Sequence, residues 1–190
     1  VSVRWVAELL WSLVVLRVNF RYKETLLGYG WFLLQPVALT VVFTYAFDRF
    51  ALIPAGHIPY TLFVAMGLVP WSLTALIVNH STYCITGLQD ILKRAALPKI
   101  LLPLSVVIAA GVDLAAIVGL LGILFMYYQI SPSGSSGWLF ILMVIHLAFL
   151  VGLSCLVSLA NVFFNRDVGQ AIPLLLQIWF FTSPIFYPSS

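Results

Sequence analysis

The chain has 190 residues, of which 63% are hydrophobic and 8% are charged, and its formal net charge is +3. A soluble domain carries about 25% charged residues, so this composition excludes a water-soluble surface and predicts an integral membrane protein. The positive excess is too small and too scattered for a protein that binds nucleic acid.

The first predicted element, over residues 1–20, is an amphipathic helix in the membrane interface. At about 100° per residue, four polar side chains fall within about 80° of one another, and the rest of the surface is mostly apolar, which is typical of an interfacial helix. These side chains are Arg4, Glu8, Ser12 and Asn19. The alternative is a sixth crossing, which would place Arg4 and Glu8 in or near lipid at about 2.5–3.5 kcal/mol for a central arginine.

Five later segments are apolar and long enough, or nearly so, for transmembrane helices, because a helix needs about 20 apolar residues to cross the hydrocarbon layer. The predicted spans are residues 30–47, 60–79, 100–128, 138–164 and 171–182. The predicted fold class is therefore an all-α integral membrane protein that forms a single transmembrane domain over residues 1–190.

The basic residues orient the chain, because cytoplasmic loops carry an excess of Lys and Arg. With the N-terminus in the cytoplasm and five crossings, only Arg49 lies outside. The other eight basic residues lie inside, namely Arg4, Arg17, Arg21, Lys23, Lys93, Arg94, Lys99 and Arg166. We therefore predict a cytoplasmic N-terminus.

Between the second and third spans, residues 86–97 predict a short amphipathic helix that Pro98 ends. The apolar face carries Leu88, Ile91, Leu92 and Ala95, and the polar face carries Gln89, Asp90, Lys93 and Arg94. Such a helix can dock into a groove of a partner or lie on the membrane surface, and the pattern alone leaves both open.

Prolines and one carboxylate interrupt the apolar spans. Pro36 and Pro70 are predicted to kink or break helices, whereas Pro173 is expected in a first turn. The stretch FFTSPIFYPSS, residues 180–190, predicts a helix broken part-way across the membrane, with a cavity or pore near Ser183. Asp113 is a candidate functional site within a span. The alternatives are that it pairs with a polar neighbour or lies toward one end of a tilted, overlong helix.

Aromatic side chains in the first and fifth spans are candidates to line a polar pathway for sugar rings, because each ring has an apolar face and several carry a polar group. Packing between helices, or exposure to lipid, is the alternative. Ser183 is a further candidate for this lining. The aromatic candidates are Phe43, Tyr45, Phe47, Trp179, Phe180, Phe181 and Tyr187.

Three stretches, in order along the chain, resemble one family. They are RYKETLLGYGWFLLQPV (21–37), DILKRAALPKILLPL (90–104) and NRDVGQAIPLLLQIWFFTSPIFYP (165–188). They resemble the membrane (permease) subunit of bacterial polysaccharide ABC exporters of the type-2 class. Members of that class have a sixth span after a re-entrant segment, so the 190 residues are expected to be C-terminally incomplete.

The resemblance implies a transport subunit of the bacterial inner membrane and not an enzyme. Two copies of the chain would enclose a channel for an undecaprenyl-linked polysaccharide of the O-antigen type. Membrane lipids would surround the two copies. No cofactor is expected on this chain, since ATP and Mg would bind the partner ATPase subunit.

The resemblance also assigns residues. The ATPase coupling helix would carry Leu88, Asp90, Ile91, Leu92, Lys93 and Arg94. The gate for the pyrophosphate-linked lipid would carry Arg17, Arg21, Lys23 and Tyr29. The first and fifth spans would line the channel.

Three other functions remain open. The first is a type-2 ABC permease for teichoic acid, capsule, a drug or a lipid. The second is an intramembrane enzyme that uses Asp113, although no second carboxylate or base lies at matching depth. The third is a passive channel or scaffold.

Overall fold

The computed structural model describes residues 3–22, 30–50, 58–88, 98–130 and 137–185, and every regular element within them is a helix. The α-helices are α1 (Val3–Tyr22), α2 (Gly30–Phe50), α3 (Tyr60–Thr82), α4 (Leu101–Tyr127), α5 (Gly137–Phe163) and α6 (Asp167–Thr182). A short 3₁₀ helix, Thr86–Leu88, follows α3. The prediction of an all-α fold is confirmed for this part of the chain.

Among the described residues, three helices are long and apolar enough to cross a membrane. They are α3 with 23 residues and α4 and α5 with 27 residues each. At 1.5 Å per residue they extend about 35–40 Å, more than the roughly 30 Å hydrocarbon layer. The chain thus has the helices of a multi-pass membrane protein. The count of five crossings, the cytoplasmic N-terminus and the interfacial position of α1 stay predictions.

Helix α3 lies at the centre of the bundle, in contact with α2, α4, α5 and α6. Its residues 60–78 are all buried or half-buried, as expected of a central helix, whereas Asn79 and His80 near its end are exposed. Leu73 and Ile77 pack against Val107 and Ala110 of α4 and against Leu150 of α5. Small residues such as Ala110 let two helix backbones approach closely, which is how membrane helices gain packing energy.

The prolines within α2 and α3 do not end those helices, which continue through Pro36 and Pro70. The prediction for Pro173 is wrong, because it is the seventh residue of α6 and not in the first turn. The reason is that α6 begins at Asp167, directly after a left-handed turn at Asn165 and Arg166 with φ of 48° and 76°.

Helix α6 ends at Thr182, and the chain then folds back onto α3. Ile185 is buried against Val64 and Leu68. A Cβ on Gly67 would lie 3.0 Å from Ile185 Cγ2, so glycine permits this close approach. With 16 residues, α6 is about 24 Å long. It stops part-way across the bundle, next to Ser183.

Candidate functional site

A cleft of about 360 Å³ opens between α1, α4 and the segment that follows α3. The side chains of Arg17, Arg21 and His80 reach into it, and most of its walls are apolar. The remaining lining residues are Leu13, Leu16, Phe20, Cys84, Gly87, Leu88 and Val106. The cleft therefore combines positive charge with an apolar surface.

Arg17 fixes the C-terminal part of α1 to the first turns of α4. Its Nε donates to Ser105 Oγ at 2.8 Å, and its Nη2 donates to the carbonyl of Leu102 at 3.5 Å. A guanidinium has five N–H donors. Since these contacts use only part of that set, Arg17 keeps donors for an anionic ligand in the cleft.

Arg21 lies one turn further along the same face of α1 and forms an ion pair with Asp113 of α4, Nη1 to Oδ2. The Asp113 side chain is 2% exposed and that of Arg21 is 19% exposed. The structure thus shows the pairing of Asp113 with a neighbour that was one of its predicted possibilities. The two arginines play different parts, because Arg21 faces a buried carboxylate and Arg17 faces a hydroxyl and a carbonyl.

An anionic amphiphile suits this arrangement. Arginine matches the geometry of phosphate oxygens with paired N–H donors, and the apolar walls would take a hydrocarbon chain. Of the four predicted gate residues, the structure brings Arg17 and Arg21 together. Lys23 and Tyr29 lie outside the described residues. The role of His80 could not be predicted from the sequence, because its place beside the arginines depends on how α4 packs against both α1 and α3.

A second cavity, of about 270 Å³, lies where α6 ends and is lined by residues of α3, α5 and α6. Trp179 and Ser183, both predicted lining residues, face it together with Trp71. Thr74 donates to the carbonyl of Pro70 at 2.9 Å, and His146 Nε2 lies 3.1 Å from Thr74 Oγ1. Aromatic rings and polar groups thus line this cavity together.

The other aromatic candidates divide into two groups. Phe43 and Phe180 pack against each other inside the chain, with ring centroids 5.7 Å apart. Tyr45, Trp179 and Phe181 are exposed at the surface of α2 and α6, by 64%, 42% and 57%. The side chains of Phe47 and Tyr187 lie outside the described residues. That these rings line a channel stays a prediction.

Of the six predicted coupling residues, the structure describes Leu88 alone. It packs against Cys84, Ile85, Leu102 and Val106 at the base of the predicted coupling segment. The other five, Asp90, Ile91, Leu92, Lys93 and Arg94, lie outside the described residues. Within the described ranges, no three His, Cys, Asp or Glu side chains are grouped so that they could hold a metal ion.

Comparison with known proteins places the chain in a family. No family model matches it. It is 30% identical over 182 residues to the O-antigen export system permease protein RfbA of Myxococcus xanthus. The matched region covers 96% of the chain and 69% of that protein. It is 29% identical over 174 residues to the protein of the same name from Klebsiella pneumoniae, which covers 90% of the chain and 66% of that protein.

The chain thus spans about two thirds of the length of these relatives. The similarity extends over nearly the whole chain, so the family resemblance noted in the sequence is confirmed. The chain belongs to the family of O-antigen export permeases, the membrane subunits of ABC transporters of the type-2 class.

Proposed function

We propose that this chain is the membrane-spanning channel subunit of an ATP-driven exporter, which moves a lipid-linked polysaccharide of the O-antigen type across the bacterial inner membrane. The observation that carries the proposal is the cleft beside α1, in which Arg17 and Arg21 stand among apolar walls. The similarity to O-antigen export permeases supports the same conclusion.

The cleft suits the carrier end of such a substrate. An undecaprenyl pyrophosphate has a long hydrocarbon chain and a strongly anionic head. Leu16 and Phe20 of α1 would contact the hydrocarbon, and the guanidinium of Arg17 would bind a phosphate oxygen. Because Asp113 balances the charge of Arg21, the net positive charge that would bind phosphate comes from Arg17.

The polysaccharide itself would pass beside α2 and α6. Tyr45, Trp179 and Phe181 expose their rings on these helices. Stacked aromatic rings contact the apolar faces of sugars, and hydroxyl groups such as Ser183 Oγ hydrogen-bond to sugar hydroxyls. Two copies of the chain, related by two-fold symmetry, would place these surfaces opposite each other across a channel.

ATP hydrolysis would take place in a partner subunit that docks onto residues 86–97. In this proposal the apolar residues of that segment enter a groove of the ATPase, and Lys93 and Arg94 contact its acidic rim. The N-terminus and this segment then share the cytoplasmic side, in agreement with the distribution of basic residues.

Complementation in a strain that lacks the corresponding permease tests the proposal. The intact wild-type permease is expected to restore polysaccharide at the cell surface, and its loss to leave lipid-linked polysaccharide in the cytoplasm. Normal surface polysaccharide in the deletion strain would contradict the proposal. Accumulation of teichoic acid, capsule or another lipid in its place would identify a different substrate within the type-2 permease class.

A further inference from the structure

The ends of three helices meet in a hydrogen-bonded cluster, the polar clamp, formed by Thr82, Tyr83, Asn161 and Gly169, of which Tyr83 is 46% exposed and the other three are buried. Asn161 of α5 is 0% exposed. Its Nδ2 donates to the carbonyl of Thr82 at 2.7 Å, and its Oδ1 accepts from the Gly169 N–H at 2.8 Å. The last carbonyls and first N–H groups of helices lack partners within the helix. One side chain thus satisfies both the end of α3 and the start of α6.

Tyr83 makes a second link between the same two helix ends. The carbonyl of Gly169 would ordinarily accept from the residue four positions on, which is Pro173 and has no N–H. The hydroxyl of Tyr83 donates to this carbonyl at 2.9 Å. The ring lies so close that a Cβ on Gly169 would stand 2.6 Å from the Tyr83 hydroxyl oxygen. Glycine and proline in α6 therefore create the place that Tyr83 occupies.

The clamp stands directly at the base of the predicted coupling segment. Asn161 Nδ2 also donates to Thr86 Oγ1 at 3.5 Å, and Thr86 opens the 3₁₀ helix that precedes residues 89–97. At its other end, α6 reaches Trp179 beside the second cavity. A single helix of 16 residues thus connects the clamp with the predicted polysaccharide path.

We propose that the polar clamp transmits movement of the ATPase-docking segment to α6 and so links ATP hydrolysis to movement of the polysaccharide, an inference that rests on the proposed function. Further along α6, Ile172 and Leu176 contact Val78 and Val157 through apolar packing alone. Such contacts are non-directional and allow helices to slide. The directional hydrogen bonds of the clamp hold the start of α6 in register with the segment after α3.

The substitution Tyr83→Phe tests this role, because it removes the hydroxyl and keeps the ring over Gly169. The intact permease and its ATPase partner are reconstituted in vesicles, where polysaccharide transport and ATP hydrolysis are measured together. We expect ATP hydrolysis to persist and transport per ATP to fall by about fivefold, the factor expected for loss of one hydrogen bond. Ser154→Ala is the control, since among the described residues this buried hydroxyl donates to the carbonyl of Val151 within its own helix, α5.

A wild-type value of transport per ATP would overturn the inference. This ratio results if transport and hydrolysis both stay unchanged, or if they fall in proportion, as expected for a purely structural contact. A second readout does not depend on the substrate. The distance between spin labels on Ile145 of α5 and Ile178 of α6 is expected to change on ATP binding in the wild type and to stay constant in Tyr83→Phe. An equal change in both proteins would refute the clamp even if the wild type transports no polysaccharide, a result that would by itself contradict only the proposed function.

Discussion

The ion pair between Arg21 and Asp113 predicts a large loss of stability when one partner is removed. Asp113 is 2% exposed, so Arg21→Ala takes the cation away from a carboxylate that water does not reach. Breaking a buried pair in this way costs about 3–5 kcal/mol. For a protein of this size, that corresponds to a fall in the melting temperature of about 6–20 °C.

Arg4→Ala is the matched control, because Arg4 lies on the same helix and also pairs with a carboxylate. The Arg4 Nε to Glu8 Oε1 distance is 3.1 Å, but the two side chains are 90% and 67% exposed. An exposed pair at this spacing contributes about 0.3–0.5 kcal/mol, so the expected fall is about 1–2 °C. Thermal unfolding of the detergent-purified intact permease measures both.

The double variant Arg21→Ala with Asp113→Ala separates the ion pair from simple packing loss. It removes both charges, so it is expected to be more stable than Arg21→Ala alone. Equal melting temperatures for Arg21→Ala and Arg4→Ala would refute the reasoning. So would a double variant whose loss equals the sum of the two single losses.

The remaining predictions concern three other sites. Arg17→Ala is expected to lower surface polysaccharide about 10- to 100-fold, the factor for one charge-assisted hydrogen bond, while the amount of permease in the membrane stays unchanged. Arg17→Lys is expected to restore only part of the export. Export at the wild-type level in Arg17→Ala would contradict the role of Arg17 in binding phosphate. Burial raises the pKa of the Cys84 thiol to about 11. At pH 8 about one thiol in a thousand is then ionised, so maleimide labelling should be slow and should speed up as the pH rises toward that value, and rapid labelling at neutral pH would count against this burial. Gly67→Ala forces Ile185 to move and should destabilise the protein by about 1–3 kcal/mol. A Cβ on Gly111 would meet no neighbouring side chain within 4 Å, so Gly111→Ala should be neutral or stabilising. Thermal unfolding measures both, and the opposite order would contradict the close approach of Ile185 to Gly67.

Much of the helical architecture could be predicted from the sequence, because the length of an apolar run and its polar flanks act locally. The short α6, and a cavity beside Ser183, follow from the prolines and hydroxyls near its end. Partners across the bundle could not be predicted in this way. Arg21 and Asp113 are 92 residues apart, and His146 and Thr74 are 72 residues apart. Only the packing of helices brings each pair together.

The hydrogen bonds of the polar clamp could not be predicted from the sequence for the same reason. Pro173 is visible in the sequence as a lost N–H, yet the group that replaces this donor is the hydroxyl of Tyr83, 86 residues from Gly169. Asn161 carries no local signal, since an asparagine near a helix end ordinarily caps its own helix. Its role depends on the end of α3 and the start of α6, which meet beside it.

Photo-crosslinking from within the cleft tests the central claim most directly. A photoreactive amino acid is placed at Leu16, which lines the cleft, or at Leu142 of α5, which is 59% exposed on another face. In cells that make the polysaccharide, lipid-linked polysaccharide is predicted to be captured at Leu16 and not at Leu142, and Arg17→Ala is predicted to reduce that capture. Equal capture at the two positions, or none at Leu16 while export continues, would contradict the account.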